Sequence, residues 1–342
     1  MIPRDRLEAV LADAQWLPHS FDRNGANLSF VRVTREMHRA LPFVDDRQLR
    51  DAQEWVTAPT LQIFDAPFRS APIHFVFHTG LCCSTLLINA LDATGEAAGL
   101  KEPQLFLSLL QGVETGEELN RNRWIELALR LLARPFDGAN ANILKPSCFA
   151  NPLIPGLLCA APGARAVLLH SDLPSFLKSV AKQGIRGRSW GRQVYASCIR
   201  HFPLDLGYSS EQTWQQTDLQ IAALAWLMRR NHFNRLAAKF GPRRTLRLNG
   251  SDLVAEPVET LARVLRFFGL AADERAIRKI AGGPVFTRHS KNGELFKARQ
   301  LKNNSRQAED DEIDIVAGWI QTIARHRGIS LVEGEPGLRL AG

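Results

Sequence analysis

The sequence predicts an α/β fold, a parallel sheet covered by helices on both faces, and three observations lead there. From residue 74 onward, short and wholly apolar segments alternate with longer segments of helical periodicity, the pattern of strands buried on both faces. Each apolar segment ends at its carboxyl side in polar residues, which is where open α/β sheets bind ligands. The 342 residues are 45% hydrophobic, enough for a sizeable core.

The expected strands are residues 74–78, 98–101, 142–145, 166–170 and 245–249. Between them lie helical patterns at 84–94, 104–134, 150–160, 172–183, 189–202 and 214–239. Right-handed crossovers follow for consecutive parallel strands. Residues 1–70 are mixed, with a helix over Pro3 to Ala14, a strand over Asn27 to Val33 and a further helical stretch. They read as an N-terminal extension packed on a main domain of residues 71–342.

Composition narrows the function classes. The formal net charge is +8 and the pI about 9.6, a balance that suits an anionic partner, although arginines spread over many helices equally make a solvated surface. The five cysteines, Cys82, Cys83, Cys148, Cys159 and Cys198, form no CxxC and no metal-type spacing, so neither a disulfide framework nor a metal site is expected. The first twenty residues lack the apolar core of a secretion signal, and no apolar run reaches the roughly 18 residues of a membrane span. No period of about 20 to 50 residues stands out. A soluble, cytoplasmic protein with no nucleic-acid partner is expected, its oligomeric state open.

The strand ends carry the functional signal. The first supplies His78 and Thr79, the second Lys101 and Glu102, the third Lys145 and Ser147, the fourth His170, Ser171 and Asp172, the fifth Asn249, Ser251 and Asp252. Polar residues there also serve as helix N-caps, a role open to Ser171, Asp172 and the 249–252 group. Lysines emerging from apolar strands are poorer caps, which makes Lys101 and Lys145 candidates for facing an anion.

After the first strand comes TGLCCSTLL, residues 79–87. A Walker loop, GxxxxGK[ST], uses its lysine on the outer phosphates and its hydroxyl on magnesium. This loop keeps Gly80, Ser84 and Thr85 but has neither lysine nor second glycine. Backbone N–H groups at a helix start still attract anions through their geometry and dipole. A plain strand-to-helix turn with Ser84 as N-cap is the structural alternative. Cys82 and Cys83 stand where a thiol pKa falls, yet small cysteines also suit tight strand–helix packing.

Gly80, Ser84, Thr85, Leu86 and Leu87 resemble the phosphosulfate-binding loop of the sulfotransferases, with Leu81 at that family's arginine and Cys83 at its second glycine. Lys101-Glu102-Pro103 is similar to the Glu-Pro after the second strand of carbohydrate sulfotransferases. Residues 246–270 resemble a long family segment through Asn249, Asp252, Leu253, Pro257, Leu261, Leu265, Phe268, Gly269 and Leu270. The likeness runs over roughly residues 72 to 300. It implies a P-loop-like sulfotransferase fold and an enzyme that moves a sulfuryl group from 3′-phosphoadenosine 5′-phosphosulfate (PAPS) to a hydroxyl of a small molecule or carbohydrate, without a metal.

The resemblance also implies roles. Residues Thr79, Gly80, Leu81, Cys82, Cys83, Ser84 and Thr85 would hold the 5′ end of the donor. Glu102 or His78 would be the base, and Lys145 or Lys101 would balance charge. Ser171 and Ser179 stand at the family's 3′-phosphate arginine and serine, so the spacing survives without the guanidinium. Replacement cations are available in KQGIRGRSWGR, residues 182–192, read as a glycine-flanked basic loop, and in a late basic stretch at Arg288, His289 and Lys291. The alternatives are a kinase-like relative using another nucleotide and a nucleotide-binding protein without catalysis.

Overall fold

The computed structural model describes residues 2–49, 54–67, 69–113, 118–271, 273–287 and 304–331. The chain divides into two compact units. The first comprises Met1–His78, Cys83–Val167 and Asp252–Phe296, the second Thr79–Cys82, Leu168–Ser251 and Lys297–Gly342.

Eight strands are described: β1 (Trp16–Phe21), β2 (Asn27–Arg32), β3 (Trp55–Pro59), β4 (Ile73–His78), β5 (Ala97–Lys101), β6 (Ala141–Lys145), β7 (Ala166–His170) and β8 (Thr245–Asn249). The last five form one sheet in the order β5-β6-β4-β7-β8, with β4 and β5 each parallel to β6. The α/β fold with a five-stranded parallel sheet is thus the one expected. β5, β6 and β7 are buried at every position, which is why they read as unbroken apolar runs. In β8, an end strand, only Thr245 and Leu248 are buried.

The first unit also contains an antiparallel sheet in the order β1-β2-β3. Only β2 was foreseen. The sequence of β1, WLPHSF, carries a proline and a register irregularity between Pro18 and Ser20, and both blur the period-two signal. β3 alternates buried Val56 and Ala58 with exposed neighbours over only five residues. Within the helical pattern expected at 104–134, the described residues form helices over Leu105–Val113 and Glu118–Leu132.

Two buried polar side chains tie the first unit together. Arg134 is 2% exposed, and its guanidinium donates to the carbonyls of Leu131, Val10, Asp13 and Trp16. It joins the helix Arg4–Ala12 and the start of β1 to the helix that ends at Leu132, and burial pushes its pKa down to about 10. His74 in β4 stacks on Phe268 at 5.0 Å and accepts the Arg165 N–H through Nδ1 at 3.1 Å. Burial first, and the charge of Arg165 second, push its pKa down to about 4.

In the second unit, residues 184–192 are not the glycine-flanked loop the sequence suggested. They belong to the continuous helix Gly184–His201. The glycines are there for close approach: a Cβ on Gly187 would lie 2.1 Å from the Val180 carbonyl, and one on Gly191 would lie 2.9 Å from Ala222 Cβ. The Ala222 contact seats this helix against the helix Asp218–Phe240, whose start is a capping box of Thr217 and Gln220. Asp172 caps the helix Leu173–Lys182 by accepting the Ser175 N–H at 2.8 Å. Among the described residues, no helix is long and apolar enough to cross a membrane.

Three expectations follow. Gly187→Ala should destabilise by about 1–3 kcal/mol in urea unfolding, because the methyl would press on the Val180 carbonyl, a backbone group that cannot turn away as a side chain can. Gly318→Ala, on a helix with nothing within 4 Å of the added Cβ, should stabilise by about 0.5–1 kcal/mol. His74 titrates at about 4 when folded and near its ordinary value of about 6.5 when unfolded, so the unfolded chain binds the extra proton between those values. Stability should therefore fall as pH drops through that window, and His74→Phe should show a shallower acid limb in unfolding curves taken across it.

Candidate functional site

In the first unit, three neighbouring strands each deliver a polar group at the carboxyl end. His78 closes β4, Lys145 closes β6, and Glu102 follows β5 directly. The Lys145 ammonium, 0% exposed, is ion-paired with Glu102 Oε1, and His78 Nε2 lies 3.7 Å from the same oxygen. The pairing is set by the ladder: Lys101 stands opposite Lys145, and the Glu102 N–H donates to the Lys145 carbonyl at 2.7 Å. Phe43 lies 5.2 Å from the ammonium, an aromatic face on the cation. Asn151 Nδ2 donates to the His78 carbonyl at 3.1 Å and fixes the end of β4.

Glu102 adopts φ +55°. A non-glycine residue held in the left-handed region costs on the order of 1 kcal/mol and persists only where its surroundings enforce it. The enforcement here is the backbone bond to Lys145 on one side and the ion pair on the other. The result is a carboxylate, 18% exposed, that keeps one oxygen on a buried cation. Such a group can take a proton from a bound hydroxyl while the ammonium beside it carries positive charge.

The segment after β4 is equally constrained. Gly80, Leu81 and Cys83 have φ of +89°, +53° and +63°. The helix that follows starts at Ser84 with Cys83, not Ser84, at the N-cap position, and no side chain caps it. The amides of its first turn are therefore not answered by a capping side chain. Ser84 and Thr85, its first two residues, are buried.

Within the second unit, Thr79 opens the loop. Its carbonyl accepts from the Arg229 guanidinium, which is 1% exposed, at 2.5 Å, and its amide donates to the Leu169 carbonyl. Thr79 Oγ1 is buried with no hydrogen-bond partner among the described residues, and so is Ser171 Oγ. Cys82 is buried with Sγ 3.6 Å from the Leu169 carbonyl, while Cys83 is exposed, and neither forms a disulfide. A Cβ on Gly250 would meet the Cys82 carbonyl at 2.5 Å, so the residue after β8 has to be glycine for the loop to lie there.

Other sequence candidates have partners of their own. Lys101 turns to the helix Ser84–Ala93, donating to Asn89 Oδ1 and the Arg39 carbonyl. Ser179 is half-buried and donates to the Ser175 carbonyl of its own helix, and Trp226 Nε1 donates to the Ser171 carbonyl. Arg288, His289 and Lys291 lie outside the described residues. Sequence reasoning assigned no role to Arg229, Phe43, Asn151 or Gly250. The one available signal was the arginine pair that interrupts the apolar run IAALAWLM in residues 221–228.

No family model matches the chain, and no curated protein matches it. Among solved structures, it is similar to a sulfotransferase from Alicyclobacillus acidocaldarius, at 12% identity over 75% of this chain and 97% of that one, TM-score 0.42. It is also similar to a sulfotransferase from Mycobacterium avium, at 15% identity over 84% of this chain and 82% of that one, TM-score 0.41. A third is retinol dehydratase in complex with retinol and PAP, at 14% identity over 81% of this chain and 89% of that one, TM-score 0.39.

Removing one partner of the Lys145–Glu102 pair should be costly, and removing both should not. Lys145→Met and Glu102→Gln are each expected to lose about 3–5 kcal/mol of stability, since each strands a buried polar group. The double variant should recover at least half of the summed loss in a double-mutant cycle read by urea unfolding.

Proposed function

We propose that the protein transfers a sulfuryl group from PAPS to a hydroxyl of a small molecule or carbohydrate. The observation that carries this reading is the Glu102 carboxylate, held at positive φ between buried Lys145 and His78 at the carboxyl ends of β5, β6 and β4. The strained, side-chain-uncapped loop that begins where β4 ends supports it, as do the buried and unanswered hydroxyls of Thr79 and Ser171. Such donors suit an anionic ligand and nothing apolar. PAPS enters as the donor substrate, and residues 79–85 would hold its 5′ end.

Glu102 takes the proton of the acceptor hydroxyl as its oxygen forms a bond to sulfur. The bond from sulfur to the bridging oxygen breaks, and negative charge passes to the leaving phosphate. As Glu102 becomes neutral, Lys145 is released from half of its ion pair and turns its full charge to that phosphate. His78, 3.7 Å from the carboxylate, orients it and shares the proton load. The sulfuryl group and the proton are both accounted for without a metal in the scheme.

A second reading is favoured by one observation. The family's 3′-phosphate arginine is Ser171 here, and Ser179 spends its hydroxyl on its own helix. A nucleotide without a 3′-phosphate, bound with or without catalysis, fits that arrangement. Calorimetric titration with 3′-phosphoadenosine 5′-phosphate and with ADP separates the two. Preference of at least about tenfold for the first is expected, about 1.4 kcal/mol, together with a product assay in which Glu102→Gln binds the nucleotide but loses turnover. Equal affinity for the two nucleotides would overturn the PAPS reading.

A further inference from the structure

A polar cavity in the first unit has Lys101 in its wall. It encloses about 410 Å³ and is lined by His38 and Arg39, by Ile88, Asn89, Asp92 and Ala93 of the helix Ser84–Ala93, and by Gly99, Lys101 and Val285. That volume is ample for a small organic ligand. No step of the transfer scheme uses any of these side chains.

The donors in this cavity are not all satisfied. His38 is 1% exposed, and neither ring nitrogen has a hydrogen-bond partner among the described residues. Its ring is only braced edge-on against Phe136 at 5.4 Å. Lys101 donates two of its three N–H bonds, to Asn89 and to the Arg39 carbonyl, and the third finds no acceptor among the described residues. The charges that face the cavity or flank it are Arg35 and Arg39, both ion-paired with Asp92, and Lys101, with Lys145 acting on Lys101 from β6. Three cations thus share one carboxylate at the cavity wall. Ile88, Ala93 and Val285 add apolar lining.

We propose that this cavity binds a small organic anion, a carboxylate or a sulfate ester on an apolar body, with the anionic group on Lys101 and His38. A buried cation, apolar lining and two unanswered donors match that chemistry and reject a cation. The closeness of Gly99 makes the site: a Cβ there would lie 2.5 Å from Ile88 Cγ2, so a side chain would displace the wall. Burial pushes the Lys101 ammonium down to about 8, with Asp92 opposing and Lys145 and Arg35 adding to the fall. Burial, then Arg35 and Lys101, holds His38 neutral, with a pKa of about 3. The ring therefore offers one N–H donor, and the lysine supplies the charge.

The test reads His38 itself. Two-dimensional 1H–15N imidazole spectra of the full chain, assigned with His38→Phe, are recorded with benzoate and phenyl sulfate as probes. Benzyl alcohol serves as the neutral control and sodium chloride as the ionic-strength control. Saturable shifts of the His38 signal by either anion are expected, lost in Lys101→Met and in Ala93→Leu, which fills the cavity from an exposed wall position. Binding should weaken about tenfold between about pH 7 and about pH 9 as the lysine loses its proton. A His38 signal that neither anion moves, that benzyl alcohol moves equally, or that responds unchanged in Lys101→Met overturns the proposal. Neither probe is a nucleotide, so the result is independent of the transfer reading.

Discussion

A lysine that retains no exposure has to be neutralised where it sits, and Glu102 neutralises Lys145. That requirement reaches further than two side chains. The carboxylate has to come from the residue just past β5, so β5 and β6 are held in one register, with Lys101 opposite Lys145. It has to turn back over β6, which places Glu102 in the left-handed region. His78 then meets it only because β4 is the next strand of the sheet. The strand order, the backbone strain and the chemistry of the cluster are one solution to one electrostatic problem.

The loop after β4 is built on a different principle. A phosphate loop usually obtains its shape from glycine and its charge from its own cation. In this chain Leu81 and Cys83 occupy left-handed conformations that glycine would enter without strain. Side chains there narrow the conformations open to the loop. A cation of the second unit, Arg229, is anchored on the Thr79 carbonyl, and the chain carries it on a helix far along the sequence instead of in the loop.

The parallel sheet was legible because strands buried on both faces write themselves as apolar runs, and all five were found within a residue of their ends. The antiparallel sheet of residues 16–59 was not, because a proline in β1 and half-exposed short strands leave no clean alternation. The juxtaposition of Glu102, Lys145 and His78 was foreseen only as three polar strand ends; which of them touch depends on strand order, which no local pattern encodes. Lys101 illustrates the limit. It resembles Lys145 in sequence setting, yet its side chain goes to Asn89 and the helix behind. The basic stretch at 182–192 failed for the opposite reason: glycines that look like breakers are the contact surface of a helix packed on a helix.

Arg134 gives the beginning of the chain an importance its composition does not suggest. Its guanidinium is held by carbonyls of Val10, Asp13 and Trp16, so these residues act as solvent for a charge in the interior. A shortened protein beginning after residue 16 would keep the cation and lose most of its acceptors. A deletion of the first sixteen residues would then be felt far along the sequence, at a buried cation left short of acceptors.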